Sequence, residues 1–127
     1  MYIGNPSLSG RYEILRSAVA ELLRVRLVEL PAGVQLLSAR TCEQASRQHP
    51  GGRDLDTQAS MQLYRAAAEC AELSGRTLRK LPFLAFAQHC VNGANPQQFA
   101  AYVESLQRAA AHEQRCRAQL QSSDTRA

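Results

Sequence analysis

The sequence predicts an all-α fold: a single-domain bundle or orthogonal array of four to five helices. Three observations lead there. Ala, Leu, Gln, Arg and Glu dominate the composition, and all are good helix formers. Apolar residues recur at helical spacing in five stretches. Proline and glycine cluster between those stretches and divide them into segments of helix length.

The first stretch carries Leu8, Tyr12, Leu15, Val19, Leu22 and Leu23, with Ile14, Ala18 and Val25 beside them. It predicts a helix over about 9–29, capped by the hydroxyl of Ser7 or Ser9 and stopped by Pro31. Val25 to Leu30 is β-branched and partly alternating, so a short strand is the alternative for 25–30. Pro31-Ala32-Gly33 reads as a turn, followed by a second helix over about 34–48 with Val34, Leu37, Thr41 and Ala45 on one face. Pro50-Gly51-Gly52 breaks the chain into an exposed loop.

The third helix starts at Asp54, Asp56 or Thr57, where negative charge favours a helix N-terminus. Its stripe is Leu55, Ala59, Leu63, Ala66, Ala67, Cys70 and Leu73, and Gly75 is expected to end it in a left-handed conformation. The fourth opens with Pro82 in its first turn and is the most apolar, running through Phe83, Leu84, Phe86, Cys90 and Val91 to Asn92-Gly93. The fifth starts with Asn95 as cap, Pro96 in the first position and Gln98 as the capping-box partner. It runs through Phe99, Tyr102, Val103, Leu106 and Ala110 to about residue 120. Domain organisation is then one helical domain, 1–121, with a disordered tail, 122–127.

With 127 residues the chain suits one domain and buries enough apolar surface to need no disulfide or metal. Its net charge is +4, and fourteen of its fifteen cations are arginine, interleaved with glutamate. No block of like charge marks a nucleic-acid tail. Cys42, Cys70, Cys90 and Cys116 are widely spaced with no C-x-x-C pair, as in a reduced cytoplasmic protein whose thiols act as small hydrophobes. No secretory signal and no membrane-spanning run is visible.

Catalytic signatures are missing from the sequence. Gly51-Gly52 lacks the Lys-Ser/Thr of a phosphate loop, and no G-x-S-x-G occurs. His89 and Cys90 are adjacent, so on a helix they point about 100° apart and cannot act as a nucleophile pair. His112 and Cys116 share a helix face, but His89 lies on the order of 25 Å away from Cys116 in a helical hairpin, too far for a shared metal. Glu69 and Glu72 share a face that points to water. The expectation is a non-enzymatic protein with no cofactor and no metal.

Protein binding remains. The broad stripe of the first helix predicts a partner face with Tyr12, Leu15, Val19, Leu22 and Leu23 as apolar anchors and Arg16 and Arg26 at the rim. The same surplus of apolar surface predicts a homodimer. In size and pattern the chain is similar to small helical bacterial regulators, antiactivators that sequester transcription factors and secretion chaperones among them. That resemblance implies a regulatory protein whose partner is a transcription regulator. The alternative is a DNA-associated transcription regulator in which the last two helices form a helix-turn-helix-like pair. Gln97 and Gln98 would meet the bases, but no cation follows them until Arg108, which disfavours nucleic acid.

Overall fold

The computed structural model describes residues 6–47, 54–89 and 97–125. They form five helices: α1 (Leu8–Arg24), α2 (Ala39–Arg47), α3 (Leu55–Ala68), α4 (Gly75–His89) and α5 (Phe99–Thr125). Two short strands, β1 (Val28–Glu29) and β2 (Gln97–Gln98), pair in parallel, Val28 opposite Gln97 and Glu29 opposite Gln98. The architecture is all-α.

Helix α1 lies at the centre, against α2, α3 and α4, and α5 packs on α3 and α4. Ser7 caps α1 by accepting from Gly10 N (3.2 Å). Its inner face is Tyr12, Leu15, Val19 and Leu22, all buried. Ala66 and Ala67 let α3 approach it closely, and the Tyr12 and Tyr64 rings meet edge to face at 5.7 Å. Arg11 locks the two helices at their ends. Its Nε donates to Ala67 O (2.8 Å) and its Nη1 to Pro6 O (3.0 Å), which sets a cation on the negative end of α3.

Helix α1 stops at Arg24, five residues short of the expected end. Arg26 takes a left-handed conformation (φ 64°). Arg26 N donates to Leu23 O and Leu27 N to Leu22 O, the paired bonds of a Schellman ending, here built without glycine. That reversal frees Val28–Glu29 to become the strand that 25–30 offered as the alternative.

The expected helix over 34–48 begins only at Ala39, because long-range bonds capture the residues before it. Leu37 N donates to Ser60 Oγ (2.7 Å), Gln35 N to Asp56 Oδ1 (2.9 Å), and the Tyr12 hydroxyl donates to Leu37 O (2.5 Å). With its amides and carbonyls engaged on α1 and α3, this stretch stays extended. Ser38 then caps α2 through Thr41 N (3.3 Å), and Glu13 accepts from Ala39 N (2.7 Å).

Asp54 caps α3 through Thr57 N (3.1 Å), as expected. Gly75 does not end α3, which stops at Ala68. It opens α4 instead, behind Ser74, whose Oγ accepts from Thr77 N (3.2 Å). Pro82 therefore sits in the interior of α4, where its missing N–H forfeits the helical bond to Leu78 O. Tyr102 OH donates to Pro82 O at 2.7 Å, fastening α5 to α4 there. The buried face of α4 is Leu78, Leu81, Pro82 and Ala85, while Phe83 is 44% exposed. Gln98 lies in β2, not in a capping box, and α5 continues past position 121 to Thr125. The expected Pro50-Gly51-Gly52 loop, the Asn92-Gly93 stop and the Asn95-Pro96 cap lie outside the described residues.

Candidate functional site

The seven residues of the expected partner face divide sharply. Tyr12, Leu15 and Val19 are wholly buried and Leu22 is 3% exposed, so these four are core and no partner reaches them in the folded protein. That part of the α1 stripe is used up inside the domain. Leu23, Arg16 and Arg26 lie at the surface, along two open depressions that share Leu23, Leu30 and Val34. Arg16 is engaged there by Glu13 (2.8 Å), and Arg26 owes its place to the backbone reversal at the end of α1.

Of the residues weighed for metal or thiol chemistry, Cys90 and the His89 side chain lie outside the described residues. His112 Nε2 lies 3.6 Å from Cys116 Sγ on α5. Among the described residues no three His, Cys, Asp or Glu side chains come together as a metal site. Cys42 and Cys70 are buried, and burial pushes the Cys70 thiol up to about 11. Among the described residues no helix is long and apolar enough to cross a membrane.

A different feature stands out at the start of α4. Leu78 and Leu81 point inward and anchor the first two turns. Arg76, Arg79 and Lys80 are left on the outside, all exposed, with no ion pair among the described residues. The first turn holds no acidic residue. Ser74 takes up Thr77 N, and the remaining amides of the first turn point along the axis with the positive end of the helix dipole. Three cations and a helix N-terminus on one exposed end suit an anionic oxygen group.

Comparison with known proteins gives the chain a family. Residues 7–114 match the family described as the TRIP13-like, AAA+ ATPase lid C-terminal domain. The chain belongs to that family. It is 43% identical over 95 residues to the pachytene checkpoint protein 2 homolog of Oryza sativa subsp. indica, a match covering 68% of this chain and 19% of the relative. It is 41% identical over 90 residues to the Arabidopsis thaliana protein of the same name, with the same coverage. Among solved structures, that of C. elegans PCH-2 superposes with a TM-score of 0.63 over 87% of this chain and 27% of that one, at 21% identity, which shows a shared fold. The chain thus spans about a fifth of the length of the curated relatives it matches.

Membership in this lid family corrects several expectations. An antiactivator, a secretion chaperone and a DNA-associated regulator are all overturned, because the family is a lid domain of AAA+ ATPases. The expectation of a protein outside enzymes falls for the same reason, although the chain covers only the lid. A bacterial regulator is contradicted by relatives from rice and Arabidopsis. The homodimer and the transcription-regulator partner find no support in these relatives. The basic end of α4 was visible in the sequence as Ser74-x-x-Thr77 followed by Arg79-Lys80, but the pull of Pro82 as a helix start hides it.

Proposed function

We propose that this chain is the lid of a pachytene checkpoint protein 2-type AAA+ ATPase, closing over nucleotide held by the rest of the enzyme. In that reading Arg76, with Arg79 and Lys80 behind it, meets the phosphates. Family membership over residues 7–114 supports the lid. The exposed cations at the α4 N-terminus, with no acidic residue in its first turn, support the phosphate contact.

The chemistry fits a closing part. ATP hydrolysis builds charge on the transferring phosphoryl group, and a guanidinium brought to it lowers the barrier. A lid that carries the cation makes that help depend on closure. The sequence has no phosphate loop of its own. The nucleotide cradle therefore belongs to the rest of the enzyme in this reading. The protein partner expected from the sequence is then first of all the ATPase body that the lid works against.

A chimaera tests this. The matching segment of the rice relative is replaced by this chain and ATP hydrolysis is measured, with and without Arg76→Ala. The expected outcome is a chimaera that hydrolyses ATP, with kcat lowered by about a hundredfold in the variant. A folded chimaera whose rate ignores Arg76, Arg79 and Lys80 alike refutes the phosphate contact. One that folds but never hydrolyses ATP refutes the lid.

A further inference from the structure

Arg108, His112 and Arg115 stand at i, i+4 and i+7 on α5, so they share one face over two turns. With Gln88 of α4 and Ala111 they line an open cleft of about 430 Å³. This cleft lies at the opposite end of α4 from Arg76, and the inference does not rest on the lid reading. Both arginines and the histidine are exposed, and among the described residues neither arginine has a hydrogen bond or ion pair. Arginines on α1 behave otherwise: Glu13 holds Arg16 and Glu21 holds Arg24, each within 3 Å. Among the described residues no carboxylate lines the cleft, although Glu104 and Glu113 lie nearby along α5. Ala111 presents only a methyl group between the two guanidinia, so the space there is open to a ligand. Cys116 Sγ lies 3.6 Å from His112 Nε2 on the same helix face.

We propose that this cleft binds a phosphomonoester carried on a polypeptide, a phosphoserine or phosphothreonine of a partner segment. Two guanidinium forks and an amide donor match an oxyanion with three acceptor oxygens and a charge of about −1.5 to −2 at pH 7. A carboxylate, with one charge and two oxygens, satisfies a single fork and leaves the other arginine unpaired. The cleft is wider than one phosphate group fills and open to one side, which leaves room for the flanking peptide.

The 127-residue chain is titrated, by fluorescence anisotropy, into a labelled Gly/Ala peptide with a central phosphoserine and into its serine and glutamate counterparts. The phosphoserine peptide is expected to bind at least about tenfold more tightly than either, with the difference shrinking at higher salt. Arg108→Gln with Arg115→Gln removes the preference while leaving the helical circular dichroism unchanged, since both side chains are exposed. Equal affinity for the phosphoserine and glutamate peptides overturns the proposal, as does a preference that survives the double substitution. Inorganic phosphate binding as tightly as the peptide assigns the cleft to a free anion and also overturns it.

Discussion

Two adjacent leucines on α1 separate core from surface. Leu22 is 3% exposed, whereas Leu23 is only partly buried and borders the open depressions. Leu22→Ala and Leu23→Ala change helix propensity identically, so any difference between them reports packing. A fully buried leucine cut to alanine costs about 2–5 kcal/mol, transfer and cavity terms together. Unfolding entropy near 2.1 cal/mol/K per residue gives a chain of 127 residues about 270 cal/mol/K at the midpoint. Leu22→Ala should therefore lower Tm by about 7–19 °C. Leu23→Ala should cost no more than about 1 kcal/mol, or about 4 °C. Calorimetric melts of the two variants beside the parent decide the matter. Equal drops, or a larger drop for Leu23→Ala, would refute the orientation of α1 and restore its stripe as a candidate partner face.

Arg26→Gly should stabilise the chain by about 0.5–1 kcal/mol in urea titrations, because a left-handed L-residue costs about 1–2 kcal/mol and the added chain entropy of glycine offsets part of the gain. Ser60→Ala removes the hydroxyl that accepts from Leu37 N and donates to Asp56 O (2.7 Å each), and should cost about 1–3 kcal/mol and speed hydrogen exchange at the Leu37 amide. Site-resolved alkylation of the native protein at mildly alkaline pH should label Cys116, which is half-buried, and spare Cys42 and Cys70 until denaturant is added. Burial raises the folded-state pKa of Cys70 from its ordinary value of 9.0 to about 11, so its neutral thiol supports the fold below pH 9. That contribution is lost as pH rises from 9 to 11, and Cys70→Ala should flatten the fall in stability measured across that window.

What the sequence made legible was whatever depends on neighbours within one or two helical turns. The spacing of Tyr12, Leu15, Val19 and Leu22 placed the buried face of α1, and Leu63, Ala66, Ala67 and Cys70 placed that of α3. Asp54 announced its own helix. What depends on distant partners was hidden. Val34 and Leu37 have helical spacing with Thr41, yet Ser60, Asp56 and Tyr12 hold the backbone around them extended from more than twenty residues away. Gly75 and Pro82 misled in opposite directions. Glycine reads as a helix stop and proline as a helix start, but Ser74 begins α4 ahead of Gly75, and Leu78, Leu81 and Ala85 bury enough surface to carry the helix through Pro82.

The same distinction explains why four of the seven residues of the expected partner face, Tyr12, Leu15, Val19 and Leu22, are core. An amphipathic stripe records only that a helix must be covered, and here α2, α3 and α4 cover most of it first. Leu22 is spent inside the domain, as is Tyr12 with its hydroxyl turned to Leu37. The residues proposed to meet ligands lie elsewhere and are exposed: Arg76, Arg79 and Lys80 at one end of α4, and Arg108 and Arg115 beside Gln88 near the other. Among the described residues no carboxylate pairs with these cations, whereas Arg16 and Arg24 are already answered by Glu13 and Glu21. In an arginine-rich sequence the count of arginines therefore says little. Which of them are left unpaired among the described residues, and where, says more.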